Sequence, residues 1–194
     1  MGLNLDYPPG ATPLDPDEAA GLIPGHIATM GQLNDWEAQN IVQAELWLRG
    51  RRRELLSMEF VRLLHKRMFS ETWKWAGKFR NTEKNIGIDP AHISPRTRDF
   101  LEDIKVQLQC KSYPLDELAA RFHHRLVSIH PFANGNGRHA RLMADLLLEE
   151  HGAPRFSWGQ NSSSDAETVR QQYMAALRAA DGKDYQPLFN FVRT

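Results

Sequence analysis

The densest chemistry in the chain lies between two apolar helical runs, in His130-Pro131-Phe132-Ala133-Asn134-Gly135-Asn136-Gly137-Arg138-His139-Ala140-Arg141. His130 stands at the end of the first run, and an imidazole can take a proton from a hydroxyl at neutral pH. Gly135 to Gly137 form a glycine-flanked turn that feeds a helix. Such a turn aims converging backbone N–H groups at an anion, and glycine supplies the positive φ and the close approach. Arg138 and Arg141, spaced i and i+3, share one helix face and can direct forked donors at phosphates. Base, anion cradle and arginines together describe phosphoryl or nucleotidyl transfer. The plainer alternative is a helix–helix turn flanked by solvated arginines. Asn-Gly turns are common, but a complete set of parts in working order favours chemistry.

Helical periodicity supplies the scaffold for these residues. Apolar residues recur at helical spacing over 33–48, and Gly50 ends that run. Ser57 opens a second helix reaching Ser70. Further helices are expected over 95–109, 115–129 and 140–150, from the cap signals at Ser164 to Ala180, and over 185–192. Between 79 and 88 the pattern changes to β-branched and aromatic residues with turn formers, which predicts a short β-hairpin leaning on the helices. Residues 1–24 hold five of the eleven prolines and read as an extended arm, with at most one short helix near 15–22. The rest, 25–194, reads as one domain.

Composition narrows the function classes. Hydrophobic residues are 41% and charged residues 25% of the 194, as in an ordinary globular domain. Lys+Arg and Asp+Glu both number 24, and this zero balance argues against a nucleic-acid binder. The single cysteine, Cys110, excludes an internal disulfide or a cysteine metal cluster and fits a cytoplasmic location. No apolar stretch is long enough to span a bilayer, so no membrane partner is expected. His123, His124, His130 and His139 invite a zinc reading, but adjacent residues face different sides of a helix and no acidic residue stands at a ligand spacing. The basic run Arg49-Gly50-Arg51-Arg52-Arg53 reads as solvated loop charge. Trp73 and Trp75 read as core anchors on one face. Tyr173 suits either core packing or the wall of an adenine pocket.

With these residues in view, the sequence resembles the Fic family, whose signature is His-Pro-Phe-x-(Asp/Glu)-Gly-Asn-Gly-Arg-x-x-Arg. Eight of its nine specified positions match. Residues 73–80 resemble the family segment leading into its flap, and residues 10–41 resemble the subgroup called mobile mystery protein B. The resemblance implies an all-α, compact bundle with a short β-hairpin flap, moving AMP from ATP to a Ser, Thr or Tyr hydroxyl of a target protein. It makes His130 the base and Phe132 the anchor that pins the loop. Gly135, Asn136 and Gly137 become the phosphate cradle, with Arg138 and Arg141 on the nucleotide. Thr82, Glu83, Lys84, Asn85, Ile86, Gly87 and Ile88 become a flap that grips the target's backbone by strand addition. Mg²⁺ or Mn²⁺ is implied as cofactor, with ATP as co-substrate. Asn134 stands where the family has the metal-holding Asp or Glu, and a neutral amide is the weaker ligand.

Many relatives carry an inhibitory helix, and the resemblance assigns that role to residues 30–48, with Glu37 pairing Arg141. Leu33 and Ala38 depart from the usual motif there. Self-modification, a partner antitoxin and a homo-oligomer are the further partners the resemblance allows. The alternatives are a relative transferring a different phosphoryl or nucleotidyl group and, because of Asn134, a weakly active nucleotide-binding regulator.

Overall fold

A computed structural model describes residues 12–50 and 53–194. Residues 1–11, with most of the expected proline-rich arm, and Arg51 and Arg52 of the basic run lie outside the described residues. Among those described, the elements are α1 (Pro16–Ala19), α2 (Met30–Leu48), α3 (Met58–Phe69), a 3₁₀ turn (Pro90–His92), α4 (Ile93–Gln109), α5 (Leu115–Ile129), α6 (Asn136–Glu150), α7 (Ala166–Asp181) and α8 (Gln186–Val192). The fold is all-α.

Local chemistry sets the boundaries. Thr29 caps α2 by accepting from the Gln32 N–H, Ser57 caps α3 through Phe60, and Asp165 caps α7 through Thr168. α3 buries Phe60, Val61, Leu64, His65, Met68 and Phe69, one continuous stripe. α6 is buried from Leu142 through Leu148, nearly all round, as the central helix of a bundle must be. The short 130–135 connection makes α5 and α6 antiparallel neighbours. α3 and α4 pack beside this pair, α2 lies on α3, and α7 and α8 close the far side. The core is centred on Val61, Leu64, Met68, Phe122, Leu126, Phe132, Met143 and Leu147.

Two expectations change. α6 begins at Asn136, four residues ahead of the 140 read from periodicity, because Gly135 alone makes the turn and serves as N-cap with φ 77°. The hairpin expected at 79–88 is an irregular loop. Its two limbs bond to the α5–α6 connection: Arg80 N–H donates to the Pro131 carbonyl (2.9 Å) and Ile88 N–H to the Ile129 carbonyl (3.4 Å). The buried Arg80 guanidinium takes the Thr82 and Ile88 carbonyls that a hairpin ladder would have used. Trp73 and Trp75 do share a face and stack at 5.1 Å.

The N-terminal segment is tied to the body before α2 begins. Leu22 pairs with Trp73 in an isolated antiparallel bridge, flanked by Ile23 N–H to Thr72 O and Lys74 N–H to Gly21 O. No helix among the described residues is long and apolar enough to cross a membrane.

Candidate active site

The connection from α5 to α6 is held open by its own side chains. His130 ends α5 in a left-handed conformation, φ 52°, which is uncommon for a non-glycine residue and recurs at functional sites. Phe132 is fully buried and stacks on His65 at 3.7 Å. His65 accepts the Gly77 N–H at Nδ1, so its Nε2 carries the proton and donates to the Asn134 carbonyl (3.0 Å). Asn136 closes the turn from within, accepting the Phe132 N–H (2.9 Å) and donating to the Phe132 carbonyl (2.8 Å). Gly135 sits so close to Phe69 that a Cβ would lie 2.6 Å from its ring. Packing therefore demands glycine at 135. At 137 it does not: a Cβ there would meet only the Tyr173 hydroxyl, 3.6 Å away. A helix N-terminus with Arg138 and Arg141 on its first turns suits an anion. Arg141 lies over the Tyr173 ring at 5.5 Å and Arg138 over Phe69 at 5.1 Å.

His130 is poised as a neutral base. Burial, and secondarily the Arg80 guanidinium, push its pKa down to about 4, so the ring is unprotonated at neutral pH. The Val127 carbonyl pulls the other way, favouring a proton on the ring, though it makes no full hydrogen bond to Nδ1. With the proton assigned to Nδ1, Nε2 is the acceptor. The Thr12 hydroxyl lies 3.2 Å from it. Arg80 fixes the backbone here by donating to the His130 carbonyl at 2.7 Å. Gly87, at φ 102°, packs where a Cβ would stand 2.6 Å from the His130 Cβ.

Glu37 is only 3% exposed. It bonds Arg138 at 2.7 Å and accepts the Trp73 indole N–H at 2.7 Å. The expected partner was Arg141. Arg138 takes the pair instead, at one oxygen of the carboxylate, while Trp73 donates to the other. The Asn134 amide oxygen accepts the Gly135 N–H (2.6 Å) and a long bond from Arg138 (3.4 Å), while its amide donates to the Thr12 carbonyl (3.4 Å). A single neutral oxygen already engaged by two donors is a poor seat for Mg²⁺, which favours carboxylates. No group of three or more His, Cys, Asp or Glu that could hold a metal ion occurs among the described residues. Asn134 thus offers a metal ion one neutral oxygen and no charge. The other histidines are apart: His123 meets Tyr173, His124 meets Asp181, and His139 meets the Val61 carbonyl.

Within the loop expected as a flap, Glu83, Asn85, Ile86 and Gly87 are exposed, while Thr82, Lys84 and Ile88 are half-buried. Lys84 reaches Asp15 (2.9 Å) and Glu18, and Thr82 donates to Glu18 (3.1 Å). Sequence reasoning passed over His65, Arg80 and Thr12. A histidine on the apolar stripe of α3, and an arginine ending the aromatic segment 73–80, were the available signals for the first two. Nothing marked Thr12, 118 positions from its partner.

Residues 55–148 match the Fic/DOC family. Protein adenylyltransferase fic-1 of Caenorhabditis elegans is 31% identical over 121 residues, covering 60% of this chain and 22% of the relative. Protein adenylyltransferase Fic of Nematostella vectensis is 28% identical over 151 residues, covering 72% and 32%. The chain thus spans between about a fifth and a third of the length of these curated relatives. Among solved structures, C. elegans Fic-1 superposes with a TM-score of 0.66 at 27% identity, covering 91% of this chain and 51% of that one. Bartonella tribocorum BepC, solved with bound AMPPNP, gives 0.70 at 17% identity, covering 92% and 97%, a likeness of fold. The loop built around His130 and all but the last two residues of α6 thus lie within the stretch that matches the Fic/DOC family.

Proposed function

We propose that the protein is an adenylyltransferase that moves AMP from ATP to a Ser, Thr or Tyr hydroxyl of a protein. The observation that carries this reading is a neutral, buried His130 with Nε2 on a hydroxyl, in the connection that leads into the N-terminus of α6 with its two arginines. Relatives named protein adenylyltransferases support the choice of group.

The residues divide the work as follows. Backbone N–H groups at the start of α6 and the Arg138 and Arg141 guanidiniums meet the phosphates. The acceptor oxygen attacks the α-phosphorus, its proton passes to His130 Nε2, and pyrophosphate departs. Arriving phosphates bring negative charge beside His130 and offset the effect of Arg80, so the base strengthens once substrate is bound. Phe132, His65 and Asn136 hold the loop in shape for this transfer. The loop 82–88 is the surface beside which a target would lie, held by side chains and isolated backbone bonds. Glu37 restrains the site, because an Arg138 held by a carboxylate is not available to a phosphate. Mg²⁺, if used, arrives with the nucleotide.

Asn134 favours a second reading, a transferase of another phosphoryl or nucleotidyl group or a weakly active nucleotide-binding regulator, since the family's carboxylate is missing. The cytoplasmic location rests on the free, exposed Cys110. Placement near mobile mystery protein B rests on residues 10–41. An antitoxin or a second copy remains the partner class implied by resemblance. The test is incubation with cell lysate and ATP labelled separately at α and γ. Label kept from α on protein is expected. Label kept only from γ, or none, overturns the adenylyl assignment.

A further inference from the structure

We infer that Thr12 is a built-in acceptor: the chain delivers its own hydroxyl to His130 and is modified there. The inference rests on the proposed adenylyl transfer and names the substrate of that same site.

The hydroxyl occupies the place the reaction requires. Thr12 Oγ1 is 3.2 Å from His130 Nε2, within reach for proton transfer, and Thr12 is only 9% exposed. The segment around it is registered by anchors on both sides of the site. Asn134 donates to the Thr12 carbonyl at 3.4 Å. Lys84 donates to the Pro13 carbonyl at 3.2 Å and pairs with Asp15 and Glu18, its side chain just 2% exposed. Thr82 adds a bond to Glu18. Trp75 donates its indole N–H to the Glu18 carbonyl at 3.0 Å. These contacts come from the loop 82–84, from the segment just before it and from the α5–α6 connection, the same surfaces proposed to receive a target. A buried Lys84 with two carboxylates on it holds far better than an exposed pair. Residues 12–18 are thus seated where an outside substrate would be.

This seating also accounts for Asn134. Its amide donates to the Thr12 carbonyl while its oxygen accepts from Gly135. A carboxylate could make the second bond but would face the Thr12 carbonyl with acceptor against acceptor. The residue that departs from the family signature is the one that grips the segment.

The step balances. Thr12 Oγ1 forms a bond to the α-phosphorus of ATP. The bond from that phosphorus to the α,β-bridging oxygen breaks, pyrophosphate leaves with the electron pair, and the hydroxyl proton goes to His130 Nε2. The same seat keeps a second hydroxyl away from Nε2, so an outside acceptor must displace the segment.

The full-length chain is incubated with ATP labelled at α, with and without cell lysate, in the wild-type and Glu37→Gly backgrounds. The modified residue is located by mass spectrometry of peptides. One adenylyl group on Thr12 is expected. Thr12→Ser keeps it, and Thr12→Val, checked for unchanged melting, loses it at least tenfold. Label on lysate proteins or at another residue, with Thr12 blank in both backgrounds, overturns the Thr12 assignment and leaves adenylyl transfer standing. No label on any protein in either background overturns adenylyl transfer, and the Thr12 assignment falls with it. A γ-derived phosphate on Thr12 keeps the acceptor and overturns the group transferred.

Discussion

His130 owes its usefulness to being harder to protonate than a free imidazole. With a pKa near 4 it stays a base well below the pH at which an ordinary histidine has charged. A base acts unprotonated, so the rate is present above its folded pKa and lost as pH falls through it. kcat/KM, which reports the free enzyme, is expected to be flat from pH 8 to 5.5, where a histidine of pKa about 6.5 would have lost roughly nine-tenths of its activity. A fall centred near 6.5 would show that the proton goes elsewhere. Replacing the ring by His130→Ala should cost roughly two to four orders of magnitude in transfer while the fold persists. Asn134 sets a second limit. Asn134→Asp places a full charge where Mg²⁺ would sit and puts an acceptor against the Thr12 carbonyl. The half-saturating Mg²⁺ concentration should drop, while transfer to Thr12 should fall as the segment loses its bond from residue 134. Titrating Mg²⁺ against both proteins checks this, and an equal requirement would place residue 134 off the metal.

Among the elements, α2 acts on the site through one side chain. Glu37 reaches α6 because α2 lies across α3, and Trp73 fixes its carboxylate. Glu37→Gly should release Arg138, raise transfer several-fold and leave ATP-dependent activity abolished by a further Arg138→Ala. Unchanged transfer in Glu37→Gly would make the pair purely structural. That an acidic residue on this helix bears on the motif was legible in the sequence, whereas its partner was not. Arg138 and Arg141 share one face at i and i+3, so helical spacing does not choose between them. The helices themselves were legible wherever a continuous apolar stripe runs, as in α3 and α5, and α7 through its cap signals. Gly-Asn-Gly hid the start of α6, because Gly135 alone turns the chain and Asn136 already belongs to the helix. The loop 79–88 has strand composition, but one buried arginine takes the carbonyls that a partner strand would need. The seat of Thr12 depends on tertiary contacts across most of the chain, which no local pattern encodes.

The molecule as a whole stores its acid sensitivity in buried histidines. Burial pushes His123 and His139 down to about 3 and His130 down to about 4, and holds His65 well below the ordinary value. All four are neutral when folded and bind protons near pH 6.5 when unfolded. Their contribution is fully present above pH 6.5 and is lost as pH falls toward their folded values. In the window between, the unfolded chain holds more protons, so each group lowers the unfolding free energy by about 1.4 kcal/mol per pH unit. Asp145 opposes them. Burial raises its pKa to about 6 against the lowering pull of its hydrogen bonds from Trp158 and the Phe156 N–H, so it keeps a proton in the folded state that the unfolded chain has lost. Four groups against one leave a slope of about 4 kcal/mol per pH unit, compared with a total stability of about 5–15 kcal/mol for an ordinary domain. Urea midpoints measured from pH 7 downward should therefore hold steady to about pH 6.5 and then fall steeply, with cooperative unfolding near pH 4 without denaturant. His139→Leu, which removes one buried imidazole, should reduce the slope by about 1.4 kcal/mol per unit even if it lowers stability at pH 7. A midpoint unchanged between pH 7 and 5 would mean that the unfolded chain gains no protons over the folded one, and that these rings are already charged inside the core.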